Sequence, residues 1–211
     1  MFTDYFKRII KKKLVKDFIA TAGIKILLNP LQLLKSYFVA KYLGPEGFGV
    51  IKNLELLQKL DKYGNLGFTG VARREIGNIR GSNKEEEEIF IRTNAYSGEL
   101  ILILFLFIVG VIISLSVNDK SFSLMLLITS MSLGLSKINS LYQTEAIIQK
   151  QFLLMSKILF FSTLFGIITA IILLPRLNIY AVLISNCSIP ILSIIYFSYN
   201  IENNYSFKID W

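Results

Sequence analysis

Three uninterrupted apolar runs dominate the second half of the chain. They occupy residues 100–117, 158–174 and 179–199, which are 18, 17 and 21 residues long and contain no charged side chain. A helix needs about 20 predominantly apolar residues, within a range of about 17–25, to cross a bilayer of about 30 Å. The runs therefore predict three membrane-spanning helices.

Three further segments are long and mostly apolar but carry polar side chains on one face. They lie at residues 18–43, 50–71 and 122–148, and their polar positions recur with the period of an α-helix. Together with the apolar runs they predict an all-α membrane protein, a bundle of six transmembrane helices. The predicted spans are 18–43, 50–71, 94–117, 122–148, 158–174 and 179–199.

Basic residues are distributed unevenly over the ends of these spans. If all six cross and the N-terminus is cytoplasmic, 14 of the 23 Lys and Arg lie on the cytoplasmic side and three on the other. This bias follows the positive-inside rule. It predicts a basic cytoplasmic segment at 1–17, a membrane lobe at 18–199 and a short cytoplasmic tail at 200–211. An interfacial helix lying flat on the membrane is the alternative for 50–71, but the downstream charge bias would then be inverted, which favours a span.

The stretch GPEGFG at residues 44–49, between the first two spans, holds three glycines and a proline. A Walker-type phosphate loop needs Lys and then Ser or Thr after its last glycine, whereas Val50 follows here. Glycine supplies positive φ angles and Pro45 fixes its own φ, which favours a tight turn. We therefore expect a hairpin between two helices, and a kink at Pro30 within the first.

The remaining six basic residues fall at membrane depth in this topology. They are Lys25, Lys35, Lys52, Lys59, Lys62 and Lys137. A lysine at the centre of a spanning helix costs about 2.5–3.5 kcal/mol on insertion scales, so such residues usually face a bundle interior or a water-filled cavity. The carboxylates at the same depth are Glu55, Asp61, Glu99 and Glu145. The excess of lysines predicts a cationic aqueous cavity, which attracts anions.

Composition narrows the chemistry further. The chain is 53% hydrophobic and contains one cysteine and no histidine. A disulfide framework is therefore excluded, and neither a zinc site built on Cys and His nor any other metal or cofactor is expected. With no histidine and no close pair of carboxylates, the sequence favours a non-enzymatic membrane protein over a glycan transferase. Membrane lipid is an expected partner, and nucleic acid is not.

Two motifs resemble the start of a known transporter family. AKYLGPEGFGV occupies residues 40–50, and YGNLGFTGVARREIG follows at 63–77, ahead of an apolar helix. These stretches are similar to the polysaccharide-export flippases, the O-antigen type transporters of the multidrug, oligosaccharidyl-lipid and polysaccharide exporter superfamily. The family's turn after its first span corresponds to residues 43–49. Its Leu-Gly element and its Arg-Glu pair correspond to 66–67 and 74–75.

The resemblance implies an activity, a fold and a site. The activity is the flipping of undecaprenyl-pyrophosphate-linked oligosaccharide repeat units across the bacterial inner membrane, driven by an ion gradient. The fold is a pair of six-helix lobes around a cationic cavity. Candidates for substrate binding, facing that cavity, are Lys25, Asn29, Gln32, Lys35, Lys52, Lys59, Lys62 and Lys137. Candidates for ion coupling are Glu55, Asp61 and Glu99.

The chain departs from this family in its number of spans. Family members have twelve or fourteen, whereas six are predicted here. We therefore expect a truncated or split gene product, an association of two copies, or a second lobe that is encoded separately, and a lone lobe to be inactive or oligomeric. A multidrug or cation exporter of the same superfamily is one alternative, although a net basic cavity does not favour it. Another is a non-transporting membrane subunit that organises envelope glycan assembly, in which each lysine pairs with a carboxylate at a helix contact.

Overall fold

The structure is a computed structural model that describes residues 2–60, 67–79 and 84–201, apart from the side chains of 2–21, 25 and 60. Its elements are α-helices, and no strand occurs in these ranges. In chain order the helices are α1 (Phe2–Leu60), α2 (Phe68–Ile79), α3 (Glu85–Ser116), α4 (Lys120–Ile148), α5 (Phe152–Leu177) and α6 (Ile179–Asn200). The all-α fold predicted from the sequence is confirmed.

Four of these helices, α3 to α6, are long and apolar enough to cross a membrane. Large apolar side chains remain exposed on them, as Leu104, Phe105, Ile108 and Ile112 do on α3. Extended apolar surface of this kind marks contact with another protein or with a membrane. Together with the length and composition of the four helices it indicates a membrane protein. They correspond to the last four predicted spans. The helix α3, predicted as the span 94–117, begins earlier, at Glu85. Four glutamates in its first turn interact favourably with the helix dipole and extend it in this direction.

The first helix consists of two arms that meet at Gly44. The first arm is residues 2–43 and the second arm is 45–60; Gly44 has φ 66° and ψ −178°, the single non-helical conformation within α1. Both arms line the same cavity, so the chain folds back here as the hairpin prediction requires. The backbone angles stay helical at Pro30, where a kink stays a prediction. They leave the helical region at Gly44, because only glycine readily adopts that combination of angles.

Substituting Gly44 by alanine is expected to lower the free energy of unfolding by about 1–3 kcal/mol, because its backbone conformation is essentially restricted to glycine. Gly49 provides the matched control, since it is helical and an added Cβ would meet no atom within 4 Å. Gly49→Ala should therefore stabilise the protein by about 0.5–1 kcal/mol. Unfolding of the two variants in detergent measures the difference, and equal effects of the same sign would contradict the assigned turn.

The predicted second span, 50–71, is not one helix. The second arm of α1 ends at Leu60, and residues 61–66 lie outside the described part of the chain. Gly67 has φ 82°, which interrupts helical geometry just before α2 begins at Phe68. The apolar positions recur with helical spacing on both sides of this point, so the periodicity alone did not reveal the break.

The two helical pieces on either side of the break follow one another along the bundle. Gln58, near the end of the second arm, donates a hydrogen bond to Ser132 of α4 at 3.4 Å. The ring of Phe68 packs on Gly98, near the middle of α3. From that level α2 continues towards the start of α3, where Ala72 and Ile76 pack against Ala95.

One end of the bundle, which we call the hairpin end, holds the turn at Gly44 and two other connections. Ile51 of the second arm packs against Leu174 of α5 and Val182 of α6, close to the α5–α6 connection. The α3–α4 connection lies there as well, because Tyr180 donates a hydrogen bond to the carbonyl of Ser121 at 3.4 Å. Three chain reversals therefore share this end.

The opposite end, which we call the α2 end, is built around the short second helix. Ala72 and Ile76 of α2 pack against Ala95 of α3 and Ile148 of α4. Basic residues are unequally divided between the two ends. The α2 end carries Arg73, Arg74, Lys84, Arg92, Lys150 and Lys157, and the hairpin end carries Lys41, Lys120 and Arg176. This asymmetry agrees with the predicted grouping of loops, and a cytoplasmic α2 end stays a prediction.

Candidate binding cavity at the α1 hairpin

A cavity of about 290 Å³ lies between the two arms of α1 and helices α5 and α6. Its walls combine apolar side chains with several polar and charged ones. The polar residues of the lining are Gln32, Lys35, Ser36, Lys52, Glu55, Thr163 and Asn186. Two lysines against one glutamate leave this lining with a net positive charge.

Lys35 is held in the cavity wall by neutral groups of α6. Its Nζ donates to Ser185 Oγ at 3.1 Å and to Asn186 Oδ1 at 3.2 Å. Ser185 Oγ in turn donates to the carbonyl of Gly166 on α5 at 2.6 Å. Within the described part of the chain, no carboxylate lies within 4 Å of this ammonium. The positive charge of Lys35 is therefore oriented by hydrogen bonds to neutral groups, and Glu55 of the same cavity is its anionic neighbour without direct contact. An anionic ligand could make the direct contact that Glu55 does not.

Lys52 differs from Lys35 because it already has an anionic partner. Its Nζ lies 2.7 Å from Glu55 Oε2 and 5.0 Å from the centroid of the Phe48 ring. A spacing of three residues on one helix brings such side chains within reach of each other. The side chains of Lys52 and Glu55 are 43% and 30% exposed, so solvent weakens their attraction and the pair can open to a ligand.

The other residues predicted for substrate binding are dispersed. Gln32 is exposed and lines the cavity, whereas Asn29 and Lys59 are exposed and do not line it. The side chain of Lys25 and the whole of Lys62 lie outside the described residues, as does the ion-coupling candidate Asp61. The structure thus brings together Gln32, Lys35, Lys52 and Glu55 from the sequence-based candidates.

Lys137 and Glu99 form a separate buried pair between α4 and α3. Lys137 Nζ lies 3.3 Å from Glu99 Oε1, and their side chains are 6% and 0% exposed. The carboxylate of Glu99 accepts no hydrogen bond within the described structure. Neither residue lines the cavity. For this lysine the structure favours the alternative in which a polar stripe makes a helix contact.

A second polar cluster, which we call the α2-end network, was not identified from the sequence. Its centre is Glu145 of α4, which is 0% exposed and lies 3.5 Å from Arg92 Nη2 of α3. Tyr96 and Gln149 donate to the same carboxylate at 2.9 Å each. Arg92 also contacts Glu88 at 2.5 Å. The spacing of Glu88 and Arg92, four residues apart on one helix, was the available signal.

The polar residues of α5 and α6 were also missed. Thr163, Ser185 and Asn186 lie in runs that contain no charge, and their hydroxyl and amide groups read as neutral positions in an apolar helix. Only the arrangement of α6 against the first arm of α1 reveals that two of them hold Lys35.

Comparison of the chain with protein-family models, with curated proteins and with solved structures finds no match. The chemistry of the cavity therefore rests on its own residues. An ammonium surrounded by amide and hydroxyl groups in a partly apolar site can bind a phosphate or carboxylate group, because the low dielectric strengthens the attraction.

Proposed function

We propose that this protein is one lobe of a bacterial inner-membrane transporter that flips undecaprenyl-pyrophosphate-linked oligosaccharide repeat units, with both termini cytoplasmic. In this proposal the cavity at the α1 hairpin binds the anionic pyrophosphate. A second six-helix lobe, from another chain or a second copy, completes the pathway for the sugars. The ion gradient that drives the movement acts through carboxylates of the same lobe.

The observation that carries the proposal is the ammonium of Lys35, which donates hydrogen bonds to neutral groups and has no carboxylate within 4 Å among the residues that the structure describes. A cation held at this depth is costly unless it has a function or a partner. A phosphate group would supply the missing negative charge and could also reach Lys52, which acts as a point-charge donor. Anion binding is thus the use of the site that its charges favour.

The size of the cavity limits which part of the substrate it can hold. Ligand pockets usually enclose about 300–1,000 Å³, and this cavity, at about 290 Å³, is at the lower limit. It has room for a charged headgroup and not for a headgroup with several sugars and a polyprenyl chain. The proposal therefore assigns it the pyrophosphate, with the glycan outside this lobe.

One observation favours a second candidate function, a membrane subunit that organises glycan assembly without transporting. The buried pair of Lys137 and Glu99 is a helix contact of the kind that such a subunit requires. Lys35 favours the transporter over the non-transporting subunit. If the polar stripe served only as a helix contact, Lys35 would be expected to contact a carboxylate directly, as Lys137 does.

Binding and flipping by the purified protein test the proposal. Undecaprenyl pyrophosphate should raise the thermal unfolding temperature in detergent, and undecaprenol of the same chain length should not, because only the former carries the anion. Proteoliposomes that contain a fluorescent pyrophosphate-linked oligosaccharide then report flipping as loss of protection from an impermeant quencher. Binding without flipping would indicate that a second lobe is needed for transport. Absence of binding would overturn the proposal.

A further inference from the structure

The α2-end network is the most extensive set of charged contacts between helices in the described structure, and the proposed transport site does not use it. It joins α3 and α4 through Arg92 and Glu145, whose side chains are 11% and 0% exposed. On the α2 side, Arg73 Nη2 donates to Thr144 Oγ1 at 3.2 Å, one residue before Glu145. Polar contacts therefore tie three helices together at this end.

The apolar contacts that accompany these polar ones combine large and small side chains, since Phe68 and Ile91 pack against the buried residues. The α2 helix packs only on α3 and α4 among the helices of the described structure. Two of the four buried residues at that interface, Ala72 and Ala95, have a single side-chain carbon. Burial of alanine removes little apolar area from water. Polar and apolar contacts therefore both hold this end closed.

Arg92 is positioned between two carboxylates that compete for the same nitrogen. Its Nη2 lies 2.5 Å from Glu88 Oε1 on its own helix and 3.5 Å from Glu145 Oε1 on α4. Its Nε is buried and has no hydrogen-bond partner among the described residues. The contact within α3 is thus shorter than the contact between helices. Arg92 can remain paired with Glu88 when α3 and α4 separate, so opening does not leave the guanidinium without a carboxylate partner.

We propose that the α2-end network is a latch that closes the α2 end of the bundle, and that Arg92 releases it by giving up Glu145 while keeping Glu88. The latch has two discrete states, because the guanidinium either bridges α3 and α4 or remains on α3 alone. Such exchange of ion-pair partners is a recognised way for packed helices to switch between two arrangements. The latch needs no glycan and stands independently of the transport proposal.

Opening of the latch can be measured with the substitution Ala72→Cys, which places a thiol at a buried position of α2. Cys187 is the single cysteine of the sequence, so Cys187→Ala gives a background free of thiols. Ala72, which is 0% exposed, is then changed to cysteine and its reaction with a bulky water-soluble maleimide is timed in detergent. Glu145→Gln should accelerate labelling about tenfold, as expected when a charge-assisted contact is lost without a change in shape.

Substitution of the competing carboxylate is expected to act in the opposite direction. Glu88→Gln removes the partner that draws Arg92 away from Glu145, so labelling should slow about twofold. Glu87→Gln is the matched control, because Glu87 is 49% exposed and pairs with Lys84 outside the network. It should leave the rate unchanged.

A second reporter separates opening of the latch from general unfolding. Ala181 is 0% exposed and lies at the hairpin end, so Ala181→Cys should stay protected in the Glu145→Gln variant. If both reporters become reactive in the Glu145→Gln variant, the labelling rate of Ala72→Cys in the Glu88→Gln variant distinguishes the two explanations. Slower labelling supports the latch, and unchanged or faster labelling overturns it. Unchanged labelling of the α2 reporter in Glu145→Gln overturns the latch directly.

Discussion

Replacing Lys35 by glutamine is expected to weaken binding of undecaprenyl pyrophosphate about 10–100-fold, the loss that accompanies removal of a hydrogen bond to a charged group. Glutamine can still hydrogen-bond to the neighbouring amide and hydroxyl groups of α6, but it carries no charge to attract phosphate. Titration of the purified protein with the lipid in detergent measures the dissociation constant. Flipping in proteoliposomes should fall in parallel wherever it is detectable.

Two other lysines of α1 provide the controls for this result. Lys41→Gln removes an exposed charge of the same arm that does not line the cavity, and binding should be unchanged. Lys52→Gln should weaken binding less than Lys35→Gln, because Glu55 already neutralises Lys52 at 2.7 Å. Equal losses for Lys35 and Lys41 would mean that the overall charge of α1, and not the cavity, attracts the lipid.

Glu99→Gln is expected to lower the free energy of unfolding by about 3–5 kcal/mol. The substitution leaves the ammonium of Lys137 buried without the carboxylate that lies 3.3 Å from it, and removal of one partner of a buried pair has this cost. Glutamine has the same shape as glutamate, so loss of packing contributes little to this change in stability. Chemical unfolding of the variant in detergent measures the change.

The double variant Glu99→Gln with Lys137→Met distinguishes a lost ion pair from a general defect. Removing both charges should restore most of the stability, because a buried pair replaced by groups of similar volume is often neutral or stabilising. An exposed pair gives the comparison: Glu87→Ala separates Glu87 from Lys84, whose side chains are 49% and 63% exposed, and should cost about 0–1 kcal/mol. A double variant as unstable as Glu99→Gln would rule out the pair as the cause.

The four apolar helices were predictable because the signal for them is local. The length and polarity of a run such as 158–174 can be taken directly from the sequence, and together they identify a helix that can cross a membrane. The hairpin at Gly44 was predictable for the same reason, since the conformational freedom of glycine is a property of one residue. In each case the energy that selects the structure comes from neighbours in sequence and from the surrounding solvent.

The break before α2 and the contact partners of the lysines could not be predicted in this way. Lys35 and Lys137 occupy similar positions on polar faces of predicted spans, and helical periodicity assigns both to the bundle interior. In the structure one is held by neutral groups of α6 and the other pairs with Glu99 of α3. Periodicity gives the direction of a side chain along its own helix and contains no information about the helix it meets.

From the residues alone one learns that the chain is helical, that four of its segments suit a membrane and that lysines recur on the polar faces of other helical segments. The tertiary structure decides which of those lysines lies in a cavity in contact with neutral groups and which is paired with a buried carboxylate. It also decides that Arg92 stands between Glu88 and Glu145. The physical reason is that burial and pairing depend on distances between helices, which are set by the packing of side chains far apart in sequence.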